Sequence, residues 1–178
     1  QSKDITLFKF SEEGIAKFII FCFVYLILIF VSMATLPGNA DSHEVDKDSL
    51  NCLAKNIYFE ARGEEIIGQY AIGLVTLNRV KDKDFPNNIC DVVYQAIKIN
   101  NKIVKYKCQF SWYCDGKSDT PKDLQTWYKA INIADTLLHF NVEDFTRGSR
   151  FYHADYVVPK WSKNKKVLIR IGKHIFYE

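Results

Sequence analysis

The residue whose setting most invites chemistry is Glu60, in the stretch NIYFEARGEEIIGQYAIGLVTLNRV (56–80). Before it, Leu50, Leu53, Ala54, Ile57, Tyr58 and Ala61 recur at helical spacing and form one apolar face. On a helical wheel Glu60 falls beside Leu53, at the edge of that face, neither a free surface charge nor a central core position. A carboxyl held against apolar and aromatic neighbours is partly desolvated, which favours its neutral form and raises its pKa. A Glu that is neutral near pH 7 can give a proton to a leaving oxygen, as cleavage of a glycosidic bond requires. The competing reading is a structural ion pair with Arg62 or Lys55.

Two further stretches carry groups suited to a polar ligand. In CQFSWYCDG (108–116), Phe110, Trp112 and Tyr113 offer flat apolar faces, and Gln109, Ser111 and Asp115 offer hydrogen bonds. Sugar sites combine the two, but so does a loop pinned to a core by aromatic residues and a disulfide. In FYHADYV (151–157), Tyr152, His153 and Asp155 lie in a strand-like pattern, and with His174 they raise the question of a zinc amidase. No HExxH and no closely spaced His pair supports that reading, and no GxSxG supports a serine hydrolase. His139 reads as a helix-terminal residue. Neither a metal nor a cofactor is expected. The basic run Lys160–Lys173, with no acid before Glu178, reads as a solvated face that can attract an anionic polymer.

The elements that must position these groups follow from periodicity. A helix begins after the polar linker PGNADSHEVDKDS (37–49), with Asp48 or Ser49 as its cap, and Gly63 is a natural end for it. A second helix is predicted from Glu65 to Val80, with Ile67, Ala71, Leu74 and Val75 as its stripe and Asn78 continuing it. A buried Asn needs partners: Asn78 either ties two backbone segments together or orients Glu60 and touches ligand. ICDVVYQAI (89–97) fits helix or strand, and 100–114 reads as irregular. TPKDLQTWYKAINIADTLLHF predicts a helix capped by Thr120, with Pro121 in its first turn, Asp123 completing the start, and Leu124, Trp127, Tyr128, Ile131, Ala134 and Leu138 on its buried face. The alternating, β-branched C-terminal part predicts short strands.

The chain has 178 residues, 48% hydrophobic, 15% aromatic and 25% charged, which fits one globular domain plus an extra segment. A net charge of +3 is too small to argue for nucleic acid. The first residue, Gln1, points to a chain that has lost its initiator or been trimmed. The extra segment is Phe18–Leu36, 19 residues without a charge. As a helix it is roughly 28 Å long, about a bilayer core. Lys3, Lys9 and Lys17 precede it and only Lys47 follows closely, so residues 1–17 are expected inside and the rest outside. We expect an uncleaved anchor over 18–36, a linker over 37–49 and an exported domain over 50–178. The alternative is a signal cleaved near Ala34 or Ala40, releasing the domain. Beyond Cys22, Cys52, Cys90, Cys108 and Cys114 suit two disulfides in an exported domain. Three pairings are possible, and Cys90–Cys108 with Cys52–Cys114 is the one we expect.

Taken in order, YFEARGE, GQYAIGLVTLNRV, FPNNICDVVYQ, CQFSWYCDG, FYHADYVVPKW and IGKHIFYE resemble the SleB-like cell wall hydrolase family, which includes spore-cortex lytic enzymes and related bacterial and phage proteins. The resemblance covers about residues 50–178. One departure is Glu65, where the family often has Pro; Glu also suits the opening of a helix.

The resemblance implies an α+β fold: a lysozyme-like, lytic-transglycosylase-like helical domain with a small C-terminal sheet or hairpin, here after one transmembrane helix. It implies peptidoglycan as partner and Glu60, the first Glu of EARGE, as the catalytic acid. Gln109, Phe110, Trp112, Tyr152, His153 and Asn78 are expected to position substrate, and Arg62 and Glu64 to hold the loop after the helix. The expected reaction is cleavage of the MurNAc–GlcNAc β-1,4 bond by one Glu, with a 1,6-anhydro product. A hydrolase needs a second carboxylate, for which Glu64 and Asp115 are candidates. An amidase cutting the MurNAc–L-alanine bond and a non-catalytic wall-binding module are the other classes. A monomer is expected.

Overall fold

The computed structural model describes residues 12–34 and 46–178. The chain divides into two units. The first holds α1 (Glu12–Ala34). Side chains are described for residues 17–29, and the large apolar ones from Phe18 to Ile29 are exposed. Among the described residues no helix is long and apolar enough to cross a membrane. The expected span, 18–36, runs beyond them.

The second unit starts with α2 (Lys47–Ala61), α3 (Ile66–Lys81) and α4 (Ile89–Val93). A hairpin of β1 (Ala96–Ile99) and β2 (Lys102–Cys108) follows, then a 3-10 turn at Ser111–Cys114 and α5 (Leu124–His139). β3 (Phe151–Ala154), β4 (Val167–Ile171) and β5 (His174–Tyr177) form an antiparallel sheet in the order β3-β5-β4. The expected helical domain with a small C-terminal sheet is what forms.

Two apolar clusters hold it together. Leu53, Ile57 and Tyr58 of α2 meet Leu74 of α3, Val92 and Val93 of α4, and Ile133 and Leu137 of α5. Ala61, Ala71, Ile72 and Val75 meet Ile171 and Phe176 of the sheet. α3 is therefore sandwiched, with helices on one side and the sheet on the other, and is buried almost all round. This changes the expected stripe: Ile72, Gly73 and Thr76 are buried, and Ile67 is 45% exposed. Gly73 permits the close approach, since a Cβ there would lie 2.4 Å from Leu137 Cδ1.

Helix starts and ends differ from expectation by small steps. Asp46, not Asp48 or Ser49, caps α2, accepting from the Asp48 N–H at 3.2 Å. Asp123, not Thr120, caps α5, accepting from the Thr126 N–H at 3.2 Å, so Pro121 lies before the helix. Leu124 and Tyr128 consequently face solvent. α2 ends at Ala61, before Gly63, which does not take up a left-handed conformation; the Glu64 N–H turns back to Ala61 O at 2.9 Å.

Residues 100–114, read as irregular, form most of the hairpin. Asn100 and Asn101 both have positive φ (50° and 60°), the requirement of a two-residue turn that Asn tolerates. The disulfides are Cys52–Cys90 and Cys108–Cys114, not Cys90–Cys108 and Cys52–Cys114. The start of α4 packs against α2, which brings Cys90 within 5.3 Å (Cα–Cα) of Cys52. β2 then reverses through the 3-10 turn, leaving Cys114 at 6.1 Å from Cys108. By chain entropy the first bridge stabilises by about 4 kcal/mol and the second, closing a much shorter loop, by about 2 kcal/mol. Cys22 is free.

Candidate active site

A cleft of about 610 Å³ runs between the end of α2, the 3-10 turn and the β3–β5 edge. Glu60 lies on it, in the last turn of α2, next to the point where the two apolar clusters meet. It is half-buried, and its Oε2 accepts a hydrogen bond from the Tyr152 hydroxyl at 3.0 Å. Burial pushes the Glu60 carboxyl above its ordinary range; the Tyr152 bond and the charge of Arg79 pull it back in part. Burial and the neighbouring Glu60 push the Tyr152 hydroxyl far up, so it stays a donor.

Arg79 was not singled out from the sequence. It is 2% exposed, on the α3 surface that also carries Ile72 and Val75. Among the described residues no Asp or Glu oxygen lies within 4.0 Å of its guanidinium. Instead Nε donates to Arg150 O at 2.6 Å, and the group lies over the rings of Phe110, Phe85 and Phe151 at 5.1–5.9 Å. Burial pushes it down from its ordinary value, and Tyr152 and Glu60 act against that. An arginine stays charged even so, and its field reaches Glu60. A charged residue four positions after Val75 on an apolar stripe was the signal available in the sequence.

The other expected site residues divide. Trp112 lines the cleft but is buried, not an open stacking platform: Phe59 stacks on it at 4.8 Å. Its Nε1 donates to Asn56 Oδ1 at 3.2 Å, and Asn56 Nδ2 donates to Thr76 Oγ1 at 3.0 Å. Asn56, fully buried, thus fixes the cleft wall, and it too went unnoticed in the sequence. Phe110 and Gln109 do not line the cleft. Phe110 is buried under Arg79, and the Gln109 carbonyl, in the amide orientation that satisfies both groups, accepts from Arg79 Nη1 and Nη2 at 3.2 and 3.3 Å. Asn78 neither contacts Glu60 nor lines the cleft. Its Nδ2 reaches Asp144 Oδ2, Thr146 Oγ1 and Ser149 O at 2.9–3.3 Å, tying α3 to the segment before β3.

His153 borders the cleft with both ring nitrogens engaged, one with Ala154 O at 2.8 Å and the other with the Tyr177 hydroxyl at 2.7 Å. Asp155 pairs with Arg170. His174 is buried with its Nδ1 unpartnered, 4.0 Å from Glu64 Oε1, and burial lowers its pKa. Of the three groups of the amidase reading, His153 and Asp155 are thus engaged elsewhere, and among the described residues no group of three or more His, Cys, Asp or Glu could hold a metal.

Arg62 lines the cleft and packs over the Tyr58 ring. Glu64 points at the β4–β5 turn, accepting from the Lys173 N–H at 3.0 Å. Of the second-carboxylate candidates, Asp115 lines the cleft and is held by Lys117 (N–H to Oδ1 at 2.8 Å, Nζ to Oδ2 at 3.6 Å). Asp119, not considered from sequence, shares that wall; burial and then Asp115 raise its pKa.

Residues 63–177 match the family Hydrolase_2, Cell Wall Hydrolase, well over half of the chain. The chain belongs to this cell wall hydrolase family. Its matched span begins just after Glu60. Among its curated relatives are spore cortex-lytic enzymes from Halalkalibacterium halodurans (30% identical over 130 residues, 72% of this chain and 34% of that one) and Bacillus subtilis (29% over 146 residues, 82% and 41%). The chain thus spans well under half the length of these relatives. Two solved structures are similar. One is the catalytic domain of the germination-specific lytic transglycosylase SleB from Bacillus anthracis (TM-score 0.56, 28% identity, 76% of this chain and 98% of that one). The other is the catalytic domain of Bacillus cereus SleB (TM-score 0.53, 25% identity, 75% and 91%). The mixed fold of helices and small sheet is therefore that of the SleB catalytic domain.

Proposed function

We propose that residues 46–178 cleave the MurNAc–GlcNAc β-1,4 bond of peptidoglycan as a lytic transglycosylase, with Glu60 as the single acid and base, acting as a monomer. The observation that carries this is Glu60 itself: a half-buried carboxyl on the cleft beside the end of α2, raised by burial, with one oxygen held by Tyr152. The similarity to a domain described as a lytic transglycosylase supports the bond type.

Neutral Glu60 gives its proton to the glycosidic oxygen as the C1–O bond breaks and positive charge grows at the MurNAc anomeric carbon. The carboxylate left behind is stabilised by the Tyr152 hydroxyl, whose bond to a charged acceptor is the stronger one, and by the field of Arg79. Glu60 then takes the proton of the sugar's own 6-hydroxyl while that oxygen bonds to C1. No water is consumed and no second carboxylate is needed. The deciding experiment digests purified sacculi with residues 41–178, wild type and Glu60→Gln, and weighs the products. Wild type should release muropeptides lighter by one water than a hydrolase would, and Glu60→Gln should lose about 10²–10⁴-fold in rate. Reducing-end products, or stem peptides freed from intact strands, would overturn the reading.

We also infer that residues 18–36 anchor the chain in a membrane, with the catalytic domain exported. The uncharged run and its exposed apolar side chains support this. Full-length protein should stay with membranes through a carbonate wash; a mature chain starting near Asp41 would point to a cleaved signal instead.

A further inference from the structure

The β1–β2 hairpin is not explained by the cleft. A two-stranded hairpin alone is marginal in water, and this one is tied at its base by the Gln109 N–H to Gln95 O bond (2.8 Å) and by the Cys108–Cys114 bridge. Yet along it Ile97, Ile99, Ile103 and Tyr106 are 38–67% exposed. Isolated apolar side chains on a surface are ordinary; four on one short ribbon, divided between its two faces, leave neither face without an exposed apolar group.

The same ribbon carries Lys98, Lys102, Lys105 and Lys107, all exposed, and no acid occurs between Asp91 and Asp115. Cross-strand pairing sets Lys98 opposite Ile103 and Ile99 opposite Lys102. Partners in a ladder share a face, so each face of the ribbon presents apolar and cationic groups together. A groove of about 460 Å³ opens beside Ile97, Tyr106 and Lys107.

We propose that this hairpin is a docking surface for an anionic phospholipid bilayer. A soluble polyanion would pair the lysines but offers the isoleucines no apolar phase. The boundary between headgroups and acyl chains offers both, and Tyr is favoured at that depth. Lysine stems can lie along the apolar layer with their ammonium groups among lipid phosphates. Because the Cys108–Cys114 bridge ties the hairpin to the turn that supplies Trp112 to the cleft, docking would also fix how the cleft faces the surface. The inference depends neither on residues 18–36 being an anchor nor on Glu60 being the acid.

The test uses residues 46–178, which have their own core and correspond to a catalytic domain solved by itself. The protein is sedimented with vesicles of mixed phosphatidylglycerol and phosphatidylcholine, and with phosphatidylcholine alone. Binding is expected only to the charged vesicles and should weaken with salt. Lys98→Gln and Lys102→Gln should each weaken it about fivefold. The combined change Ile97→Ser, Ile99→Ser and Tyr106→Ser should weaken it roughly tenfold or more. Circular dichroism and thermal unfolding show that each variant is folded. The proposal fails if wild type ignores charged vesicles or binds neutral ones equally. It also fails if the serine variant binds as wild type does while the lysine variants do not, which would assign the face to a polyanion.

Discussion

The Tyr152 hydroxyl donates to Glu60 Oε2 at 3.0 Å, joining β3 to the end of α2 across 92 residues of sequence. The bond favours the charged form of Glu60, against the burial that favours the neutral one. Tyr152→Phe keeps the ring against His174 and Phe176 and removes only the donor. A hydrogen bond to a charged group is worth about 1.5–3 kcal/mol, so the rate should fall roughly 10- to 100-fold. Glu60 should then hold its proton to higher pH, and the alkaline limb of the rate profile should move up. An unchanged limb would mean that Tyr152 does not act through Glu60.

Arg79 should act in the same direction from further away. Its charge favours the Glu60 carboxylate, so Arg79→Met should also move the alkaline limb up and slow turnover. Arg79→Lys keeps the sign of the charge and should leave the limb near its wild-type position even where the lost contacts with Arg150 O and the aromatic rings reduce stability. Titrating carbon-labelled Glu60 by NMR in each variant reads the coupling without relying on activity. A Glu60 titration that is the same in Arg79→Met and wild type would show that Arg79 is structural.

Glu60 was legible in the sequence because helical geometry alone places it at the edge of an apolar face. Tyr152 was legible as a polar group in a strand-like segment, though not its partner. Arg79 and Asn56 were missed because their burial depends on the sheet and α5 closing over α3 and α2, contacts far apart in sequence. Asn78 shows the converse: helical periodicity placed it correctly toward the interior, but the interior there is a backbone crossing, not a ligand site. The disulfide pairing was not legible because it follows from how α4 packs on α2 and how β2 reverses. In the hairpin, lysines between the apolar residues and an Asn-Asn turn in place of Asn-Gly hid a strand pattern.

Glu64 accepts from the Lys173 N–H at the β4–β5 turn, and we expect it to hold that turn and not to serve as a second acid. Gly172 has φ +56°, and a Cβ there would lie 2.4 Å from Glu64 Oε2. Gly172→Ala therefore meets both backbone strain, about 1–2 kcal/mol for an L-residue in that region, and a collision with Glu64. It should lower the thermal midpoint measurably. Glu64→Gln should lower it less, because an amide oxygen can still accept from the Lys173 N–H. Below their unfolding temperatures both should show the wild-type pH profile. A folded Glu64→Gln protein without activity would move the acid away from Glu60.

Glu60 should also be a burden on stability at neutral pH. Its folded pKa is raised by burial above the roughly 4.3 of a free Glu. The folded state therefore holds this proton more tightly than the unfolded state does. Stability from that preference is complete below the unfolded pKa and is lost as pH rises through the folded one. Gln cannot ionise, yet its side-chain oxygen can still accept from Tyr152. Glu60→Gln should thus unfold at nearly the wild-type temperature near pH 4 and at a higher temperature than wild type near pH 8. The same substitution that removes the transferable proton should relieve the cost of burying its conjugate base. Thermal unfolding of the two proteins across that range reads the difference directly. A gap that does not widen with pH would mean that Glu60 is not held above its ordinary pKa, and its role as a neutral acid would lose its physical basis.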